Sequence, residues 1–244
     1  MSTIQTPDAA SPTIRYRLPS VHPDGRKFVV LGAVLTLVLA WLTWEWLAWP
    51  MAGLTLWIAA FFRDPVRVTP QGAGVIVAPA DGLVTMIQRV PVPHEFAGEG
   101  GLGQNPLIRV SIFMSVFDVH INRTPIAGTV TRIAYIAGKF LNADLDKASE
   151  ENERQHILVD DGQGLAVGFT QIAGLVARRI VPFVKTGEVV AAGQRIGLIR
   201  FGSRVDVYLP DGAAPQIALG QRAIAGETIL GVVGTTAPAT GVAQ

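Results

Sequence analysis

The chain has 244 residues, a formal net charge of +1 and no cysteine. Its length allows one substantial folded domain, and the lack of cysteine excludes disulfides, thiolate catalysis and cysteine-ligated metal. The near-zero charge gives no indication of a nucleic-acid partner. The four histidines include no pair at a short metal-ligand spacing, so we expect no metal site.

The first two regions of the chain differ in polarity. Residues 1–27 are polar and contain several prolines, which is typical of a loose N-terminal tail. Residues 28–62 carry one ionisable side chain, Glu45, in 35 positions. Apolar runs of this length are typical of lipid-embedded helices. We therefore expect residues 28–62 to form an N-terminal apolar helical membrane anchor.

Basic side chains flank this apolar segment at both ends. Arg26 and Lys27 precede it, and Arg63 and Arg67 follow it. Because Lys and Arg concentrate on the cytoplasmic side of membrane segments, this pattern favours a re-entrant hairpin with both ends cytoplasmic. A single spanning helix is the alternative.

From residue 63 to residue 244 the chain consists mainly of short β-branched runs separated by Gly, Pro and Asp. This pattern predicts an α+β, β-rich domain. The turn-rich run 186–197 resembles the hammerhead of biotinyl and lipoyl carrier domains, so we expect barrel-sandwich elements of that type. The predicted strands cover residues 75–77, 83–90, 107–113, 128–136, 156–159, 165–172, 176–181, 189–199 and 205–209.

One long connection interrupts the predicted strands. Residues 91–106 include seven glycines or prolines and have no strand or helix pattern. Long loops in compact domains are often functional, and a lid over a substrate is one interpretation.

Two polar clusters follow predicted strands. Asp81 and Gly82 come directly after one strand, where an ordinary turn is the simplest interpretation. Asp118, His120 and Arg123 fall within six residues after another strand. Carboxylates and imidazoles that follow strands are candidates for moving protons.

The Gly202-Ser203 bond is a candidate site of self-cleavage. A serine hydroxyl can attack the preceding carbonyl where the backbone bends tightly, and glycine tolerates such a bend. Acyl transfer and β-elimination would then leave dehydroalanine, whose hydrolysis releases ammonia and leaves an N-terminal pyruvoyl group. That ketone can form a Schiff base with a substrate amine. The dipeptide alone also fits a simple turn.

These features occur in an order that identifies a family. The chain resembles the phosphatidylserine decarboxylase proenzymes of the short bacterial and archaeal type, from the apolar segment to about residue 233. The motifs that carry the resemblance are FRDP at 62–65, PADG at 79–82, DVHINR at 118–123, ENER at 151–154 and FGS at 201–203.

The resemblance implies a pyruvoyl-dependent carboxy-lyase that makes phosphatidylethanolamine and CO2 from phosphatidylserine in the bilayer. It implies a covalent pyruvoyl cofactor derived from Ser203, acting through a Schiff base, and no metal. It also implies a catalytic domain at 63–244 that cuts itself into chains 1–202 and 203–244, which stay paired as a heterodimer. The expected location is the cell membrane, with the catalytic domain on the cytoplasmic side.

The resemblance assigns catalytic roles to three residues. Ser203 would attack the carbonyl of Gly202 and become the pyruvoyl group, Asp81 would assist self-cleavage, and His120 would act in decarboxylation. Arg123 stands where longer relatives carry a second histidine. The base that activates Ser203 is therefore either His120 or Asp81 alone, and the sequence does not decide between them.

Three cations are candidates for binding the anionic phosphate of the substrate. They are Arg63, Arg123 and Lys139, which the sequence does not rank.

Two other functions fit parts of the chain. A pyruvoyl decarboxylase of another, soluble amino acid would share the Gly202-Ser203 chemistry but would have no use for the apolar segment 28–62. A membrane-anchored lipoyl-like carrier or adaptor without catalysis would explain that segment and the run 186–197, but would not need to break its backbone.

Overall fold

The computed structural model of the chain describes residues 18–42, 44–140, 151–174, 179–200 and 203–242. These ranges contain two α-helices and sixteen strands. The helices are α1 (Pro23–Trp41) and α2 (Glu45–Phe61), and the strands are β1 (Ser20–Val21), β2 (Arg63–Asp64), β3 (Val75–Val77), β4 (Gly82–Val90), β5 (Leu107–Met114), β6 (Ile121–Arg123), β7 (Gly128–Ile136), β8 (Arg154–Asp160), β9 (Ala166–Ala173), β10 (Ile180–Pro182), β11 (Val189–Val190), β12 (Arg195–Ile199), β13 (Ser203–Leu209), β14 (Ala213–Pro215), β15 (Arg222–Ala223) and β16 (Ile229–Val233).

The largest element is a curled, half-barrel sheet of eight antiparallel strands. The strands follow the order β11-β7-β8-β9-β13-β5-β4-β15. Strand β13 lies inside this sheet and pairs with β5 on one side and β9 on the other. Its seven residues are all buried. The C-terminal part of the chain therefore begins in the middle of the fold.

The two faces of β13 have different surroundings. Val205, Val207 and Leu209 belong to the main hydrophobic core, because alternate residues of a strand project to the same face. That core also receives side chains from the two small sheets β10-β12-β6 and β14-β16-β3, such as Leu230 of β16. Arg204 projects to the other face of the large sheet. One face of β13 is therefore apolar beyond its first residue, and the other carries charge.

Helices α1 and α2 pack against each other through small residues. A Cβ atom on Gly32 would lie 2.5 Å from Thr55 Oγ1, and one on Gly25 would lie 2.3 Å from Phe62 Cβ. Such distances leave no room for a side chain, so glycine allows the close approach. The two-stranded ribbon β1-β2 joins the beginning of α1 to the end of α2, with Val21 opposite Arg63.

The predicted fold class was wrong in its N-terminal membrane anchor. The apolar segment 28–62 is divided between two helices, of 19 and 17 residues. Helix α1 begins at Pro23, so its first turns carry Asp24, Arg26 and Lys27. At 1.5 Å per residue, the 17 residues of α2 reach about 25 Å, less than a bilayer core of about 30 Å. Within the described ranges, no helix combines the length and hydrophobicity needed to cross a membrane.

The run 186–197, compared above with a carrier-domain hammerhead, supplies strands to two different sheets. Strand β11 pairs with β7 at the edge of the large sheet. Strand β12 lies between β10 and β6 in a three-stranded sheet. The connection between them turns at Gly193, whose φ of 72° is in the left-handed region that favours glycine.

Candidate active site

Ser203 opens strand β13 and is completely buried. It stands opposite Met114, the last residue of β5, and opposite Ala173, the last residue of β9. Its Oγ lies 3.3 Å from Met114 Sδ. Gly202, the other half of the predicted cleavage site, lies outside the described residues. Ser203 is therefore held by neighbouring strands on both sides at one end of the large sheet.

A chain of buried polar side chains leads away from Ser203 on the core side. Asn122 Nδ2 lies 3.6 Å from Met114 Sδ, and its Oδ1 accepts a 2.7 Å hydrogen bond from Gln171 Nε2. Gln171 Oε1 accepts a 3.0 Å bond from Gln155 Nε2. Buried amides are costly unless they are hydrogen-bonded, so this chain maintains a polar environment within an otherwise apolar core.

Asp81 lies at the same end of the sheet, directly before β4. Its Oδ2 is 2.6 Å from Arg67 Nη2, and its Oδ1 accepts a 2.7 Å bond from the backbone N–H of Ala225. Burial raises the pKa of Asp81, against the opposing effects of the Ala225 N–H and of Arg67. Strand β5 separates β4 from β13, so two strand spacings, about 10 Å, separate the backbones at Asp81 and Ser203.

Asp118 is a second buried carboxylate at this end. Its Oδ2 accepts hydrogen bonds of 2.8 Å from both the N–H and the Oγ of Ser115. Its Oδ1 binds Arg222, which belongs to the chain segment after the predicted cut. The negative charge of Asp118 also raises the pKa of Asp81. The two carboxylates therefore share one electrostatic environment.

His120 is completely buried beside Asp118. Its ring centroid lies 4.2 Å from that of Phe61, and its Nδ1 is 3.0 Å from the carbonyl oxygen of Asp118. Burial lowers the pKa of His120 to about 4, so the ring is neutral at pH 7. A carbonyl only accepts hydrogen bonds, so Nδ1 carries the proton and Nε2 has the lone pair. This tautomer suits a proton acceptor.

Of the three predicted phosphate ligands, Arg63 lies with these groups. It donates to the carbonyl oxygens of Ala60 at 2.7 Å and Phe117 at 2.8 Å. Its positive charge lowers the pKa of both Asp81 and His120. Arg63 therefore contributes positive potential to the same end of the sheet.

The contacts of Arg123 are with backbone carbonyl groups and one carboxylate of the protein itself. Its guanidinium donates to Gly193 O at 2.8 Å and to Pro65 O at 3.0 Å, and lies 3.9 Å from Asp64. Burial and the nearby Arg195 lower its pKa. Asn122, its neighbour on β6, is directed to Met114, so Arg123 projects to the opposite side of that strand.

Lys139 is exposed and distant from Ser203. Its Nζ lies 3.0 Å from Glu151 Oε2. Along the backbone, Lys139 bonds to Glu153, Glu153 bonds to Ala173, and Ala173 pairs with Ser203. Lys139 is thus three strand spacings, about 14 Å, from Ser203.

Sequence reasoning located Ser203, Asp81 and His120 but missed several of their partners. The structure adds Arg67 and Arg222 as the cations that neutralise Asp81 and Asp118. It also adds Met114 and the two glutamines on the core side of Ser203. The sequence carried no pattern that singled out these glutamines, because Gln155 precedes the predicted strand 156–159 and Gln171 follows another polar residue, Thr170. In the part of the chain that is described, no group of three His, Asp or Glu residues is arranged to hold a metal ion.

Comparison with known proteins decides the family. The family model for phosphatidylserine decarboxylase matches residues 54–231, which include every one of the candidate catalytic residues above. The chain belongs to the phosphatidylserine decarboxylase family. The resemblance inferred from the ordered motifs is therefore confirmed.

Three relatives cover nearly the whole chain, and each is named a phosphatidylserine decarboxylase proenzyme. The relative from Zymomonas mobilis is 59% identical over 98% of this chain and 97% of its own length. The one from Novosphingobium aromaticivorans is 61% identical over 95% of this chain and 94% of its own length. The one from Erythrobacter litoralis is 62% identical over 93% of each. Neither a carrier domain nor another type of decarboxylase is needed to account for the sequence.

The buried histidine predicts a pH dependence of stability. Because folding lowers the pKa of His120 to about 4 from 6.5, the unfolded chain binds a proton between these pH values that the folded chain does not. The free energy of unfolding should therefore fall as pH decreases from 6.5 to 4. The raised pKa of Asp81 acts in the opposite direction and offsets part of this loss.

Urea unfolding at several pH values tests this expectation in the uncut variant Ser203→Ala, so that every protein compared is a single chain. Adding His120→Gln, whose side chain does not titrate, should remove part of the pH dependence between 6.5 and 4, whatever the absolute stability. His156→Gln in the same background is the control, because it removes a second buried histidine with a pKa of about 4. Parallel curves with and without His120→Gln would contradict the assignment.

Proposed function

We propose that this chain is a proenzyme that cuts itself between Gly202 and Ser203 and then decarboxylates phosphatidylserine to phosphatidylethanolamine and CO2. Membership of the family makes it a pyruvoyl-dependent carboxy-lyase. The observation that carries the assignment to this bond is the position of Ser203, fully buried at the head of a central strand. A serine that only formed a turn would have no need of this enclosure.

Self-cleavage needs no group from outside the protein except water. Ser203 Oγ attacks the carbonyl carbon of Gly202, and the amide bond is replaced by an ester. Loss of the Cα proton of residue 203 then breaks its Cβ–O bond and releases the carboxylate of Gly202. Water converts the resulting dehydroalanine to a pyruvoyl group and ammonia.

Within this scheme, His120 is the better candidate for the base that takes the proton of Ser203. Its ring is neutral, and the Asp118 carbonyl orients it with Nε2 as the acceptor. Backbone contacts bring the two regions together, since the N–H of Ile199, four residues before Ser203, bonds to the carbonyl oxygen of His120. The side chain of Arg123 projects away from Met114 and is not a substitute for a second histidine.

Asp81 has a positioning role in this proposal. Its carboxylate is held by Arg67 and by the N–H of Ala225, which belongs to the segment after the cut. It therefore joins the two future chains and keeps Arg67 at the end of the sheet. The negative charge that favours a transient positive charge on the His120 imidazole is that of Asp118.

The pyruvoyl group supplies an electron-withdrawing carbonyl to an amine substrate when CO2 leaves. The protein contributes a buried environment on the core side, a proton carrier at His120, and positive charge at Arg63 for an anionic headgroup. Asn122 and Gln171, which are hydrogen-bonded to each other, place polar amide groups on the core side of Ser203. Arg63 is the best placed of the three predicted phosphate ligands because it alone shares the electrostatic environment of Asp81 and His120.

We further propose that the two chains remain together as a heterodimer. The downstream chain supplies β13 to the middle of the large sheet, where it bonds to β5 and β9 of the upstream chain. It also supplies β15, which pairs with β4, and β16, which pairs with β3. Breaking one peptide bond leaves all of these ladders in place.

The substrate is a membrane lipid, and we propose that the paired helices α1 and α2 rest on the cytoplasmic surface of the bilayer. Their outer faces expose apolar side chains, including Leu37 and Leu56. Trp41, Trp46 and Trp49 are between 74% and 82% exposed, and tryptophan is enriched at the level of lipid headgroups. The contact lies in the plane of the interface and does not cross the bilayer.

The cut is tested by Ser203→Ala. Denaturing mass spectrometry of the wild type should give a fragment of residues 203–244 that begins with a pyruvoyl group. The variant should give one intact chain of 26.0 kDa and no decarboxylation. Ser111→Ala is a matched control, because Ser111 is equally buried in the adjacent strand. Normal turnover by Ser203→Ala would refute the proposal.

The choice of base is tested by comparing His120→Ala with Asp81→Asn. General-base catalysis typically contributes a factor of about 10² to 10⁴, so His120→Ala should cut itself slower by that factor. Asp81→Asn keeps the size of the side chain and should retain more of the cleavage rate. The rates are read from gels of freshly synthesised protein. Cleavage of His120→Ala at the wild-type rate would assign the proton transfer to another group.

The membrane contact is tested with vesicles that contain phosphatidylserine. The double variant Trp46→Gln, Trp49→Gln should sediment with vesicles less than the wild type, and should lose activity on vesicles more than on a short-chain soluble substrate. Val189→Gln, which changes another exposed apolar side chain on the edge strand β11, is the control. Equal loss on both substrates would indicate a role of the tryptophans in folding instead.

A further inference from the structure

We propose that a cavity on the face of the large sheet opposite to the Ser203 side chain binds a small organic anion. The cavity has a volume of about 430 Å³, within the range of about 300 to 1,000 Å³ that is usual for small-molecule sites. Strands β4, β5, β8 and β13 and the start of the loop 91–106 line it.

The strand registers place this cavity apart from the site of self-cleavage. Tyr208 of β13 stands directly opposite Arg109 of β5, and both line the cavity. Residues that stand opposite each other in a sheet project from the same face. Ser203 is five positions from Tyr208 along β13, so the two side chains project from opposite faces. A ligand in the cavity is separated from Ser203 by the sheet itself.

His156 supplies a buried hydrogen-bonding group that the protein does not use. It is 3% exposed, and its Nδ1 lies 2.8 Å from Thr170 Oγ1. Its Nε2 is buried without a hydrogen-bond partner and lies 3.7 Å from Oε2 of Glu95, which also lines the cavity. An unpaired buried polar atom destabilises the fold, and a hydrogen bond from a ligand in the cavity would remove this cost.

The charges around the cavity favour an anion. Arg109 and Arg154 line it together with one carboxylate, Glu95. On the same face, the buried carboxylate of Asp206 lies 2.9 Å from Arg204 and 3.9 Å from Arg109, so one negative charge is shared by two guanidinium groups. The planar guanidinium group of arginine matches carboxylate and phosphate oxygens. The head of the ligand is therefore a carboxylate or a phosphate.

The rest of the lining consists of Gln88, Tyr208 and an apolar wall that is fixed in position. Val90, Val92 and the adjacent prolines of the loop 91–106 form it. Arg132 holds this loop through bonds of 2.8 Å to the carbonyl oxygens of Glu95 and Ala97. Phe96 is fully buried and packs edge-on against His156, with ring centroids 5.1 Å apart. The loop thus covers this cavity, and the ligand combines an anionic head with a small apolar body.

The test uses phenyl phosphate and benzoate as probes, with benzyl alcohol as the neutral probe. The ring signals of His156 are followed by NMR, and His156→Gln assigns them among the four histidines. At least one anionic probe should shift these signals saturably, with a Kd of about 1 mM or below, while benzyl alcohol should not. The relative affinity of the two anions distinguishes a phosphate site from a carboxylate site.

Substitutions of arginine distinguish binding of the probe in the cavity from binding to other positively charged parts of the surface. Arg154→Gln should weaken binding about tenfold, and Arg154→Lys, which keeps the charge but not the planar fork, should weaken it less. Arg89→Gln should not change it, since Arg89 follows Gln88 on β4 and projects to the other face. Circular dichroism establishes that each variant is folded.

The uncut variant Ser203→Ala separates this inference from the proposed decarboxylase activity. It has no pyruvoyl group, and it should bind the anionic probe with the affinity of the wild type. The inference is overturned if neither anion shifts the His156 signals up to about 20 mM, or if benzyl alcohol shifts them equally. Loss of binding in Ser203→Ala would also overturn it, by placing the probe in the active site.

Discussion

The pairing of β13 with strands on both of its sides is the constraint on which the rest of the structure depends. Seven backbone positions pair with β5, and six pair with β9. Because each strand fixes the register of the next, Ser203 cannot shift along its neighbours without moving every core side chain of β13. A reactive residue at the head of such a strand is positioned by the whole sheet rather than by a loop.

The same pairing brings charged groups from distant parts of the chain to one end of the sheet. Strand β4 begins there with Asp81 before it, and β5 ends there before Asp118 and His120. Burial would make two neighbouring carboxylates costly, and Arg67 and Arg222 offset that cost. The electrostatic result is a neutral imidazole surrounded by compensated charges. Burial is the main cause of the lowered pKa of His120 and keeps its ring neutral at pH 7.

The sequence predicted the longer strands because their patterns are local. The predicted strands 75–77 and 128–136 match β3 and β7 in both bounds. The short strands β6, β14 and β15 have two or three residues each, which is too few for a periodic pattern. They form because they pair with neighbouring strands of the fold. For residues 28–62, hydrophobicity was informative but the total length of the apolar run was misleading, because the run is divided between α1 and α2.

For the site, the ordered motifs indicated Ser203, Asp81 and His120, whereas their contacts could not be predicted. Met114 and Ser203 are 89 positions apart, and Asp118 and Arg222 are 104 positions apart. No local pattern connects residues at such separations. The tautomer of His120 depends on a single backbone carbonyl, which only the folded chain places beside the ring.

The central position of β13 also changes the thermodynamic character of the protein once the backbone is broken. Before the cut, unfolding is unimolecular, and its equilibrium does not depend on protein concentration. Afterwards, complete unfolding releases two chains, so dilution favours the separated state and refolding requires a bimolecular encounter. To refold, β13 would have to insert between β5 and β9. Without β13, no backbone hydrogen bonds keep those two strands at the required separation. The proposed cut would thus make the stability of the protein depend on its concentration and on the rate at which the two chains separate.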